Sequence, residues 1–169
     1  CSRTPSRSPT PRRSQSPKST RTTALTLTFW LTTEPLLSAT VVTPNIPEAE
    51  VLAGMKIEGL DGARDAAKKL VGMGAKSAVV KGGHLEGPAS DVFFDGEELK
   101  VFTAPRVSTT STHGTGCTFA SATAAGLARG LAVREAVSEA KKYVTQTILR
   151  AFPMGRGHGP LNHFFELWD

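Results

Sequence analysis

The sequence predicts an α/β domain with a largely parallel sheet covered by helices, and three observations predict it. Short apolar, β-branched runs end in turn-forming residues, as buried strands do. Between and after them lie stretches with an apolar stripe at helical spacing. The order of these pieces is strand, helix, strand, hairpin, helix, helix.

"LLSATVVT" (36–43) reads as a buried strand closed by Thr-Pro-Asn. "PEAEVLAG" (47–54) has Pro at a first helical position, acids in the first turn and Gly at the end, which makes a short helix. "DGARDAAKKLVGMG" (61–74) sets Ala63, Ala66, Ala67, Leu70 and Val71 on one helical face. "AKSAVVKGG" (75–83) is a strand running into a glycine pair. "SDVFFDGEELKVFT" (90–103) places Asp95-Gly96 between two β-rich runs, a hairpin signal. "THGTGCTFASATAAGLARG" (112–130) gives a helix from about Gly116 to Ala128, ended by Gly130. "REAVSEAKKYVTQTILRAF" (134–152) is a second amphipathic helix, with Ala136, Val137, Ala140, Val144 and Ile148 in register.

The charge is confined to one end. Residues 1–33 hold six basic side chains (Arg3, Arg7, Arg12, Arg13, Lys18, Arg21) and no acidic one, so the +5 net charge belongs to this arm and not to residues 34–169. The arm is rich in Ser, Thr, Pro and Arg and without apolar periodicity, a composition that cannot offset its ordering entropy and is expected to be disordered. Three readings of it stay open: an Arg/Ser arm that touches nucleic acid, an organelle transit peptide, or non-native sequence from a shifted frame. Cys1 and Cys117 stand far apart in unlike settings and imply no disulfide framework, which fits a reducing, cytoplasmic compartment. No apolar run reaches the ~18 residues of a membrane span, so no membrane partner is expected.

Three segments follow strands or open a helix, where parallel α/β sheets bind ligands. They are Thr43-Pro44-Asn45-Ile46-Pro47-Glu48, Val80-Lys81-Gly82-Gly83-His84 and His113-Gly114-Thr115-Gly116-Cys117. Together they offer an amide and a carboxylate, a cation, and a ring of backbone N–H groups, a set suited to a polyphosphate with Mg²⁺. Singly, each has an ordinary explanation as turn, solvated lysine or tight connection, and the last matches neither a Walker A nor a Rossmann pattern. His158 and His163 have no acidic or sulfur companions and do not read as a metal site.

"TPNIPEAEVL", "VVKGGH", "HGTGCTFASATAAGLARG" and "GHGPLNHF", in that order, resemble the hydroxymethylpyrimidine/phosphomethylpyrimidine kinases of thiamine biosynthesis, of the ribokinase-like superfamily. The resemblance runs from about Glu34 to the C-terminus. It implies the C-terminal, nucleotide-side part (34–169) of an α/β/α sandwich with a mostly parallel sheet. It also implies ATP and Mg²⁺ as cofactors, and two successive phosphorylations of a small pyrimidine. By position, Asn45 and Glu48 match an Asn-x-x-Glu motif that organises phosphates and Mg²⁺, with Glu48 acting on the metal indirectly. Lys81, with Gly83 and His113 beside the loops, matches the nucleotide side. Gly114, Thr115 and Gly116 match an anion hole, and Cys117 stands where sugar kinases of the superfamily carry an aspartate base. A helix N-terminus favours an anion, so a thiolate there would take the attacking hydroxyl's proton. Full-length relatives are expected to be homo-oligomers, and the N-terminal half that supplies the pyrimidine pocket is expected to be missing here. The resemblance thus implies weak Mg·ATP binding without pyrimidine phosphorylation. Two alternatives stand: a pyridoxal or pyridoxamine kinase, and a non-catalytic fragment whose basic arm binds nucleic acid or partners; nucleic acid is not the expected partner of the folded part.

Overall fold

A computed structural model describes residues 38–167 apart from His84, Glu86 and Gly155, so the arm expected at 1–33 lies outside the described residues. Helix α1 (Ile46–Ala53) starts at Asn45, whose side chain and that of Glu48 cap each other's backbone N–H groups. Helix α2 (Gly59–Gly72) buries Ala63, Ala66, Ala67 and Leu70, four of the five residues of the expected stripe. Strands β1 (Ala78–Lys81), β2 (Ala89–Phe94) and β3 (Leu99–Ala104) form a sheet in that order. Helices α3 (Thr115–Ala128) and α4 (Val133–Leu149) follow.

The two-residue period of the strands sorts the core into two layers. Ala78, Val80 and Val92 face α1 and α2, packing with Ile46, Ala49, Ala63, Ala67 and Leu70. Val79 and Phe93 point the other way, against Phe119 of α3 and Val137, Ala140 and Val144 of α4. Helices on both faces of one sheet make the α/β/α sandwich that the sequence implies. Among the described residues, no helix is long and apolar enough to cross a membrane.

The expected mostly parallel sheet needs correction. Among the described residues the named strands pair antiparallel, Lys81 opposite Asp91 and Phe94 opposite Leu99. The cause is connection length: direct short links between β1, β2 and β3 permit only antiparallel neighbours, whereas a parallel pair needs a crossover. A crossover through α1 and α2 provides a parallel contact to β1. It lays residues 42–45 parallel to β1, through Val42 N–H to the Ser77 carbonyl (3.1 Å), Val79 N–H to Val42 (2.8 Å) and Lys81 N–H to Pro44 (2.9 Å). The 36–43 run expected as a strand therefore appears, where described, as an isolated bridge at Val42, with another at Asn45 just beyond it. Pro44 lacks the N–H that would continue this ladder to Val79.

The hairpin loop spans four residues, 95–98, rather than two, because the Asp95 carboxylate accepts from both Glu97 N–H (3.1 Å) and Glu98 N–H (2.7 Å).

Candidate active site

The parallel contact of residues 42–45 with β1 brings two of the three expected segments side by side, since Asn45 bridges Lys81. The third arrives on α3. Gly114 is its N-cap at φ 84°, a left-handed backbone that side-chain-bearing residues avoid, and it contributes no capping side chain. The N–H groups of Gly116 and Cys117 consequently have no partner among the described residues, while Thr115 Oγ1 donates to the Thr112 carbonyl (2.7 Å). The turn before α3 is held from outside by the "GHGPLNHF" segment: His113 N–H donates to Gly159 (3.1 Å) and Gly159 N–H to Thr110 (3.2 Å). Gly159 lies so close to Ser111 that an added Cβ would sit 2.5 Å from its hydroxyl.

A cavity of about 440 Å³ opens between these parts. Asn45, Lys81, Gly83, Thr115 and Gly116 line it, five of the nine expected site residues. The Lys81 ammonium reaches over the start of α3, lying 3.3 Å from where a Gly116 Cβ would be, and has no hydrogen-bond or ion-pair partner among the described residues. The other four expected residues do not line the cavity. Glu48 is exposed and engaged with Asn45 N–H (2.8 Å). His113 is exposed, and Gly114 acts through the helix start. Cys117 is an exposed free thiol in the first turn of α3, next to Gly116.

Three charged residues that sequence reasoning missed complete the lining. Arg106 donates to the carbonyls of Gly83 (2.8 Å), Gly87 (2.8 Å) and Leu85, which fastens the turn after β1. Asp91 accepts from Gly82 N–H (3.0 Å) and from Lys141 Nζ (2.7 Å), and both partners of this ion pair are nearly buried. A signal for Lys141 was available: it falls between Val137 and Val144 on the apolar stripe of α4, where a lysine must find a partner. The cavity lining thus carries three cations and one carboxylate, together with the apolar side chains of Val107, Phe119, Val144 and Ile148.

Among the described residues, no three His, Cys, Asp or Glu side chains group to hold a metal ion. A Mg²⁺ tightly ligated by protein does not fit here, whereas one held mainly by phosphate oxygens and water does.

An α/β/α sandwich with a cationic cavity at a strand end, facing a glycine-capped helix N-terminus, is an arrangement that α/β proteins use to bind phosphates. Comparison with known proteins specifies it further. The phosphomethylpyrimidine kinase family matches residues 22–162, and the chain belongs to that family. It is 50% identical over 132 residues to the thiamine biosynthesis bifunctional protein ThiED of Geobacter sulfurreducens, covering 78% of this chain and 27% of that protein. It is 46% identical over 131 residues to the hydroxymethylpyrimidine/phosphomethylpyrimidine kinase of Streptomyces coelicolor, covering 78% of this chain and 49% of that one. The chain therefore spans about half or less of the length of these relatives. Among solved structures, the ADP complex of Bacillus subtilis pyridoxal kinase superimposes with a TM-score of 0.82 at 37% identity, over 87% of this chain and 56% of that one. The ribokinase-like fold and the kinase family named from the motifs are thereby borne out.

Proposed function

We propose that this chain is the nucleotide-binding part of an ATP-dependent kinase that phosphorylates a hydroxymethylpyrimidine and then its monophosphate in thiamine biosynthesis. The observation that supports it most is the free Lys81 ammonium held over Gly116, beside two unpartnered N–H groups at the start of α3. An ammonium and convergent amides suit the terminal phosphates of ATP, and the apolar lining from Val107, Phe119, Val144 and Ile148 suits a flat base. Phosphoryl transfer spreads charge over the equatorial oxygens, so fixed donors of this kind stabilise it. Mg²⁺ would supply charge neutralisation between neighbouring phosphates, with Asn45 and Glu48 near its water shell rather than bound to it. Cys117, one residue beyond the N–H of Gly116, acts in this reading as the base that takes the acceptor hydroxyl's proton.

The superposition on a pyridoxal kinase supports a second reading, in which the acceptor is a pyridine. The deciding experiment is a chimera that joins this chain to the portion of the Streptomyces coelicolor kinase it does not match, assayed by chromatography with hydroxymethylpyrimidine, its monophosphate and pyridoxal. Turnover of both pyrimidines ahead of pyridoxal is expected; preference for pyridoxal would move the assignment. Cys117→Ala in the chimera is expected to lower turnover ~10²–10⁴-fold with little change in nucleotide affinity.

A further inference from the structure

The register of β1 and β2 sets Lys81 directly opposite Asp91. Lys81 N–H is turned toward Pro44, so this is the non-hydrogen-bonded kind of antiparallel pair, in which side chains share one face with Cβ atoms about 4.5–5.5 Å apart. A lysine and an aspartate so placed ordinarily pair. Here they do not: Lys81 stays free, while both oxygens of Asp91 are occupied, Oδ1 by Gly82 N–H and Oδ2 by Lys141. Lys141 arrives from α4 on the same side of the sheet, where its neighbours Val137 and Val144 pack against Val79 and Phe93.

We infer that Lys141 is a positioning residue that occupies Asp91 and thereby keeps the Lys81 ammonium available to the anionic ligand. Asp91 in turn anchors the Gly82 turn that aims Lys81. With Lys141 neutralised, the Asp91 carboxylate would be left buried without its ammonium, a costly state that Lys81, opposite it in register, relieves by swinging back. Neutralising both would leave Lys81 free again. The consequence for ligand rests on the phosphate-site reading above; the pairing of Lys81 does not.

The test therefore uses two readouts on the full chain with Lys141→Met and with Asp91→Asn/Lys141→Met. The first needs no ligand: reductive methylation with formaldehyde, followed by mass spectrometry of the Lys81 peptide. Lys81 is expected to react readily in the wild type, several-fold more slowly in Lys141→Met, and at the wild-type rate in the double variant. The second is calorimetric titration with ADP. Lys141→Met is expected to weaken binding about tenfold, within the usual range of coupling between touching charges, and the double variant to return within about threefold of wild type. Circular dichroism identifies variants that are folded at the assay temperature. Should Lys141→Met not fold, the double variant, which buries no lone charge, still decides. Wild-type labelling and affinity in it support the inference, whereas affinity as weak as that of Lys81→Met would make Lys141 a direct ligand and overturn it. Unchanged Lys81 labelling in a folded Lys141→Met would also overturn it. Failure of the wild type to bind ADP, with the labelling pattern as expected, would sink the phosphate-site reading and leave the ion-pair inference standing.

Discussion

Gly82 and Gly83 are adjacent and identical, yet their substitution by alanine is expected to have opposite consequences. A Cβ added to Gly82 would lie 2.0 Å from the Ser90 carbonyl oxygen and 3.1 Å from Leu85 Cδ1, whereas one added to Gly83 would meet nothing within 4 Å. The 2.0 Å overlap is with backbone, so no rotamer change relieves it. The end of β1 and β2 would have to part by about 1.5 Å to reach an ordinary ~3.5 Å contact. That motion breaks the bond from Gly82 N–H to Asp91, whose loss costs about 1.5–3 kcal/mol for a charged acceptor. Overpacking strain adds about 1–3 kcal/mol. Gly82→Ala should therefore lose about 2.5–6 kcal/mol, lowering Tm by about 5–24 °C for a chain of this size. Gly83→Ala should stay within about 1 kcal/mol of wild type, with a small gain available from a stiffer unfolded chain. Thermal unfolding by circular dichroism reads both. A Gly82→Ala protein melting within about 2 °C of wild type would refute the close approach, and with it the account of how the turn after Lys81 is held.

Asn45→Ala removes the acceptor for Glu48 N–H (2.8 Å), so loss of about 1 kcal/mol and a Tm lower by about 3 °C are expected in the same melts. No change would mean that the capping box does not hold α1 in solution. A pH series tests the hairpin turn. The bond from Glu98 N–H, then that from Glu97 N–H and the charge of Arg134, hold the Asp95 carboxyl below its ordinary range against the opposing effect of burial. A depressed folded-state pKa contributes stability above the unfolded value near 3.8, lost as pH falls through the folded one. Wild-type Tm should thus drop below about pH 4 more steeply than that of Asp95→Asn, and equal slopes would count against the turn.

Much of this structure is legible in the sequence because its helices carry clean stripes. Ala63, Ala66, Ala67 and Leu70 on α2, and Ala136, Val137, Ala140 and Val144 on α4, are buried as the spacing requires. The hairpin likewise follows from Asp95-Gly96. What escapes local pattern is which strands become neighbours. Parallel and antiparallel pairing leave the same alternation in a buried strand, and only connection length separates them. Within the site, Lys81 and Gly116 were visible as strand-end and helix-start residues. Asp91 and Arg106 were not, because their roles depend on the register of β2 and on where the carbonyls of Gly83, Leu85 and Gly87 lie. For Lys141 the sequence shows only that a lysine sits on the apolar stripe of α4; that its partner is Asp91 (Oδ2 at 2.7 Å) depends on how α4 packs on the sheet.

The central claim is that the Lys81 ammonium and the N–H groups at the start of α3 share one anionic ligand, and Lys81→Met tests it most directly. Lys81 Nζ has no partner among the described residues, so the substitution should leave Tm within about 2 °C of wild type. Calorimetric titration of ADP should show binding by the wild-type chain that weakens at least about tenfold in Lys81→Met, the scale of one charge-assisted contact. Equal ADP affinity in the two proteins, both folded, would contradict the claim.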